Sequence, residues 1–245
     1  MASIQNTMHN SLAIDDPADD LDNIVTHKSL YLTLNQSKKY FGKMDNNLTF
    51  LHANCRSLPK NFDNFTNLLS MVETHLAAVA VSETWLKPSN ENLFKIPGYC
   101  FESNHRESKI GGGVALYINE SETYKLLPDL KISSDYLECI FVEIVKQKNK
   151  NIIIGSIYRP PNTDINIFNN EINQLLQNKI LNKDKEIVIM GDFNINLLQH
   201  SQHTPTLNFL STMLAYGLKP VITEPSRITD KSASLIDNIF TTIDT

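Results

Sequence analysis

No apolar run in the sequence approaches the roughly 18 residues that a membrane-spanning helix needs, so no such helix is predicted. The start, MASIQNTMHNSLAIDDPADD, has neither a basic stretch nor an apolar core, which excludes a secretory signal. Cysteine is scarce: Cys55, Cys100 and Cys139 are odd in number and show no CxxC spacing. That argues against a disulfide framework or a zinc cluster and for a reducing intracellular setting. There is also no basic excess, with 22 Lys and Arg against 27 Asp and Glu and a formal net charge of −5. Bulk charge therefore cannot hold nucleic acid, and any such role must rest on a local site or on another part of a longer polypeptide.

What is present suits one sizeable domain, since 245 residues with 41% hydrophobic content can bury a substantial core. Residues 1–45 are polar and irregular and include the acidic stretch IDDPADDLD, Ile14 to Asp22. They are predicted to be a flexible leader, with Tyr31, Leu32 and Leu34 as positions that could dock on the body. Residues 46–245 are predicted to form the folded domain.

Within it, apolar runs alternate with helical spacing. LTFLHA (Leu48 to Ala53), LAAVAV (Leu76 to Val81), GVALYI (Gly113 to Ile118), LECIFVEIV (Leu137 to Val145), IIIGSIY (Ile152 to Tyr158) and IVIM (Ile187 to Met190) read as strands. The lysine-rich KQKNKN makes a hairpin turn between the fourth and fifth. Apolar residues at spacings of three and four predict helices around Phe62 to Val72, Phe168 to Leu176 and Leu207 to Leu214. The last has Thr206 as a candidate N-cap and Gly217 as its stop. Hairpin and crossover connections together predict an α/β fold of sheets packed on each other with helices outside.

Four strands end in groups foreign to a core. LTFLHA runs into Asn54, LAAVAV into Ser82 and Glu83, IIIGSI into Tyr158 and Arg159, and IVIM into Asp192 and Asn194. Ends of neighbouring strands converge on one rim of a sheet, where α/β enzymes build their sites. One or two carboxylates with neutral donors suit Mg²⁺, which keeps several waters and takes further ligands from phosphate. Asn and Tyr can donate to phosphate oxygens, and Asp can orient or deprotonate a water. Metal-assisted hydrolysis of a phosphate ester is the chemistry this set supports. Taken alone, GDFN would be an Asx turn, and Glu83 or Asn54 a surface or turn residue. Four such endings in one chain tip the balance. The triglycine Gly111 to Gly113 lacks a following GK[ST] and reads as a flexible turn, and His52 reads as a packed or rim residue.

The segments NCRSL (Asn54 to Leu58), SETWL (Ser82 to Leu86), GGGVALYI (Gly111 to Ile118), YRPPN (Tyr158 to Asn162), GDFNIN (Gly191 to Asn196), SRIT (Ser226 to Thr229) and SASLIDNIF (Ser232 to Phe240) together resemble the endonuclease/exonuclease/phosphatase superfamily. Within it they are most similar to endonuclease domains of non-LTR retrotransposons of the jockey and chicken-repeat type. The resemblance implies a four-layer α/β sandwich (DNase-like) of two packed mixed sheets flanked by helices. It implies Mg²⁺, or Mn²⁺, as cofactor, held by Glu83 with Asn54 beside it. Tyr158 resembles the tyrosine on the scissile phosphate, Asp192 the residue that activates water, and Asn194 its partner. Asp237 resembles the carboxylate that orients a catalytic histidine, and Arg159, Thr229 and Ser234 resemble substrate-binding positions. The implied partners are DNA and a reverse transcriptase domain in the full polyprotein, with a nuclear site of action. In the family a Ser-Asp-His motif follows the IDNIF strand, whereas this sequence reads only TTIDT after Phe240. The resemblance therefore implies that the last strand and its histidine lie outside this chain, in a longer reading frame or lost from a decayed copy, with nicking weak or absent. A phosphatase or phosphodiesterase of the same superfamily, or a non-catalytic remnant, are the alternatives.

Overall fold

A computed structural model describes residues 29–33, 36, 48–72, 74–106, 110–177 and 184–243. Most of the leader expected over residues 1–45, including Leu34, lies outside them. Of the proposed docking points, Tyr31 places its hydroxyl on the Pro225 carbonyl at 2.9 Å, while its ring and Leu32 remain exposed.

The apolar runs fold as expected into strands, and the strands form two main sheets. The first joins β1 (Thr49–Asn54), β2 (Leu76–Ser82), β3 (Tyr99–Asn104) and β4 (Val114–Asn119) in the order β1-β2-β4-β3. Pairing is parallel between β1 and β2 and antiparallel elsewhere. The second contains β5 (Tyr124–Leu126), β6 (Ile132–Ser133), β7 (Glu138–Ile144), β8 (Ile152–Tyr158), β9 (Glu186–Asp192), β10 (Lys219–Pro220) and β13 (Asp237–Thr241). Its order is β10-β13-β9-β8-β7-β5, with β6 beside β7. β7 and β8 form the predicted hairpin, and β8 and β9 run parallel across the crossover helix. A separate ribbon of β11 (Arg227–Thr229) and β12 (Ser232–Ser234) precedes β13.

Alternation along the strands sorts the side chains into three cores. Between the sheets lie Ala78, Ala80, Val114, Leu116 and Ile118 against Ile140, Val142, Ile154, Val188 and Met190. On the outer face of the first sheet, α1 (Leu58–Met71) buries Leu58 and Phe65 over Val79, Val81 and Tyr117. On the outer face of the second, α2 (Ile165–Leu175) and α3 (Thr204–Ala215) bury Phe168, Ile172, Phe209 and Met213. Phe193, Phe209 and Phe240 stack there with ring centroids 5.2–5.7 Å apart. Full burial of such a side chain is worth about 1.5–3 kcal/mol, so these apolar contacts are the main force docking the helices. The result is the expected four-layer sandwich.

Local details differ from the sequence reading in two places. Strand β3 is not evident in the sequence, because YCFESN alternates weakly; its Tyr99 and Phe101 lie against the buried Tyr117 ring. Helix α3 starts at Thr204, with His203 in the cap position, so Thr206 is not the cap. Thr206 is buried inside the first turn, with its hydroxyl 2.9 Å from His203 Nδ1. Gly217 does stop the helix: its φ of +72° is open to glycine, and its N–H returns to the Leu214 carbonyl at 2.8 Å.

Candidate active site

The inner-facing rows of four strands end together at one mouth of the sandwich. On β1 the residues facing the other sheet are Phe50 and His52, so the next in that row is Asn54. The inner rows of β8 and β9, through Ile154 and through Val188 and Met190, end in Tyr158 and Asp192. Strand β13 runs the other way, so its inner row starts at Asp237, in register with Asp192. Tyr158 and Asp192 are likewise paired across β8 and β9. Period-two alternation, applied to strands whose ends coincide, thus brings Asn54, Tyr158, Asp192 and Asp237 to the same opening.

Asn54 ties the two sheets together at this opening. Its Nδ2 donates to Glu83 Oε1 at 2.8 Å on its own sheet and to Asp192 Oδ2 at 2.7 Å on the other. Glu83 is carried just past β2, and its backbone is left-handed at φ +51°. Asp192 is buried, and its second oxygen accepts the N–H of Asn194 at 3.0 Å. The turn expected of GDFN taken alone is therefore real, and it coexists with the site. Asn194, at φ +48°, donates its amide Nδ2 to the Arg159 carbonyl at 2.8 Å, which fixes the side chain at the rim.

Burial and like charge shape the acidity of the group. Burial, and then the neighbouring Asp237, push Asp192 up to about 7, against the lowering influence of the Asn194 N–H and the Asn54 amide. Asp237 is also raised by burial, with the Ser226 hydroxyl at 2.8 Å opposing the shift and Glu83 adding to it. Tyr158 is raised by burial and by the charges of Glu83 and Asp192, so it stays a neutral donor. His52 is pushed down to about 4 by burial. Its Nε2 lies 3.1 Å from Ser82 Oγ and its Nδ1 3.8 Å from Asp237 Oδ1. The packed histidine is thus the imidazole nearest to hand for Asp237.

Asp192 and Asp237, both raised in proton affinity, stand beside Glu83 with amide and phenol donors, a set that can serve a cation or an anion bound through one. Among the described residues no three His, Cys, Asp or Glu side chains form a metal cage. The donor set therefore fits a hard divalent ion that keeps much of its water and uses one or two protein ligands. Glu83 could hold such an ion with Asn54 beside it, whose amide oxygen accepts the Arg56 N–H at 3.0 Å.

Three expected site residues stand apart from this cluster. Arg159 is one step beyond Tyr158 and so faces the other side of its sheet. Its guanidinium is buried against the Phe168 ring and donates to the carbonyls of Asn194, at 2.9 Å, and Thr163. It braces the Asn194 turn from the helical side of the sheet. Thr229 and Ser234 sit on the exposed β11–β12 ribbon, where the Thr229 hydroxyl bonds Ser232 at 2.9 Å. Ser226, which opens the SRIT segment but is given no role from sequence, adjoins the cluster through Asp237. Its Oγ accepts the N–H groups of Ile236 and Asp237 and donates to the Asp237 carboxylate.

Residues 152–245 match a protein family described as endonuclease-reverse transcriptase. No curated protein matches the sequence significantly. Among solved structures, the chain is similar to the endonuclease domain of TRAS1, a telomere-specific non-LTR retrotransposon. The TM-score is 0.61 at 15% identity, covering 79% of this chain and 83% of that one. It is also similar to the AP endonuclease LMAP of Leishmania major, with TM-score 0.64, 12% identity and coverage of 91% and 86%. An AP endonuclease from Archaeoglobus fulgidus gives TM-score 0.57, 17% identity and coverage of 80% and 87%. The chain shares the fold of these endonucleases, and the family match is confined to residues 152–245.

Proposed function

We propose that this chain is a divalent-metal-dependent phosphodiester hydrolase that nicks DNA, the endonuclease part of a retrotransposon polyprotein that also carries a reverse transcriptase. The observation that supports it most is the Asn54 amide held between Glu83 and Asp192, one carboxylate from each sheet. Such a clasp sets a metal-side carboxylate and a water-side carboxylate at a fixed separation.

Bound Mg²⁺ or Mn²⁺, held by Glu83 and Asn54, would neutralise charge on the phosphate. The protein residues do the rest. Asp192, poised near neutrality, takes the proton of a water as its oxygen forms a bond to phosphorus. Tyr158, kept protonated, donates to a phosphate oxygen, and Asn194 is fixed at the same rim. The bond from phosphorus to the leaving oxygen breaks as the new one forms. Asp237 is placed to orient an imidazole beside the phosphate, and the family resemblance expects that imidazole from a Ser-Asp-His segment following Asp237 in sequence.

Supercoiled-plasmid nicking in Mg²⁺ tests this proposal, using the 245-residue chain and a version extended by a Ser-Asp-His strand. The extended chain is expected to nick plasmid and to leave inositol phosphates and oligoadenylate untouched. Glu83→Ala is expected to abolish nicking. Cleavage that survives Glu83→Ala, or turnover of inositol phosphates in place of plasmid, would overturn it.

A further inference from the structure

We propose that Glu138 and Arg106 are positioning residues for Glu83, acting through the triglycine loop Gly111 to Gly113. This rests on Glu83 being the metal-side carboxylate. Glu83 and Trp85 are both left-handed, at φ +51° and +54°, although neither is glycine. A turn with two such residues in three persists only where its surroundings hold it. On one side it is held by the start of α1, where Ser57 N–H and Leu58 N–H reach the Glu83 and Thr84 carbonyls at 2.9 Å. On the other side it is held by the glycines: Thr84 N–H donates to the Gly113 carbonyl at 3.2 Å and Trp85 N–H to the Gly112 carbonyl at 2.9 Å.

The glycine loop in turn is fastened from the opposite sheet. Glu138, 1% exposed at the start of β7, accepts the Gly113 N–H on one carboxylate oxygen and the Arg106 guanidinium on the other. Side chains have no room here. A Cβ on Gly112 would stand 2.6 Å from Arg106 Nε and 2.7 Å from Glu138 Oε1, and one on Gly113 would overlap Thr84 Oγ1. The loop expected from sequence to be a flexible turn is thus a tightly packed latch. Glu138 is also in register with Tyr158, so the same carboxylate bonds the loop that holds Glu83 and adjoins the phosphate-side phenol. A buried ion pair is a poor source of net stability, since an apolar pair of similar shape would do as well. Its presence at this point is explained by what it aligns.

Trp85 is the sole tryptophan, and its indole lies 3.7 Å from where a Gly111 Cβ would be, so its fluorescence reports the latch directly. The experiment titrates Mn²⁺ alone, by calorimetry, into wild type, Glu83→Ala, Glu138→Gln, Gly112→Ala and Arg106→Lys. Trp85 emission and circular dichroism are recorded alongside. Residues that orient metal ligands typically change affinity by about 10- to 100-fold. Glu138→Gln and Gly112→Ala are expected to weaken Mn²⁺ binding at least about tenfold and to shift Trp85 emission, with circular dichroism retained. Arg106→Lys is expected to keep most of the affinity. If either disruptive variant fails to fold, the other carries the comparison, and Arg106→Met, milder than both, must show the same two effects. Wild-type affinity and unshifted emission in folded variants would overturn the proposal while leaving Glu83 as a ligand. Mn²⁺ binding that is absent, or unaffected by Glu83→Ala, would overturn the underlying assignment of Glu83.

Discussion

Replacing Asp192 by Asn should change stability in opposite senses on the two sides of neutrality. In the metal-free protein the Asp192 carboxyl titrates at about 7, against an ordinary 3.8. A carboxyl whose affinity for the proton is raised by folding holds that proton in the native state while the unfolded chain has lost it, so native stability falls as pH rises between the two values. Integrating from about pH 5 to about pH 8 gives a loss of about 2.5 kcal/mol from this group. The amide of the variant carries no charge and escapes that loss. It keeps an oxygen for the Asn194 N–H but turns its NH₂ toward Asn54 Nδ2, which loses the 2.7 Å bond. That omission costs about 1–2 kcal/mol at any pH. Asp192→Asn should therefore be less stable than wild type at about pH 5 and equal or more stable at about pH 8, while losing cleavage. Urea unfolding in the presence of a chelator at both pH values measures the difference, in which the titration of groups remote from Asp192 cancels. A ΔΔG that is the same at both values would refute the assignment of a raised Asp192.

Two further outcomes are expected. His52, at about 4 instead of 6.5, is neutral in the fold, so stability is complete above 6.5 and is lost as pH falls through that window. His52→Gln should flatten this acid limb by up to about 3 kcal/mol in urea unfolding followed against pH, and an unchanged limb would contradict the burial argument. Gly155→Ala would drive a Cβ into the Phe141 ring at Cε1 in the buried core and should cost about 1–3 kcal/mol by thermal denaturation. Adding Phe141→Leu should recover part of that loss, a coupling that independent sites would not show.

The strand endings were legible because an unbroken apolar run has to stop, and a polar group at the stop of a buried strand stands out. Asn54, Glu83, Tyr158 and Asp192 emerged this way, whereas Asp237 came only from the family resemblance, and the structure gathers all five. Arg159 is set apart from this group because adjacency in sequence is opposition in a sheet: one residue beyond Tyr158 means the helical face. Glu138 was hidden for the reverse reason. LECIFVEIV reads as the interior of a strand, yet β7 begins at its second residue, and in an antiparallel pair a beginning lies beside the neighbour's end. An acid in an apolar run was the available signal, and Glu143 in the same run shared it. The glycine loop could not be judged from sequence, because nothing local says whether three glycines are loose or crowded.

Strand β1 has one pairing partner among the described residues, and all six of its residues are half-buried, whereas β2 beside it is buried throughout. Opening free energies in a fold track such differences, with edges exchanging amide protons before centres. The side chain that spans both sheets, Asn54, thus rides on an edge strand. Loss of the clasp is a local event, separable from global unfolding, and anything that covers the β1 edge would tighten the site without touching it.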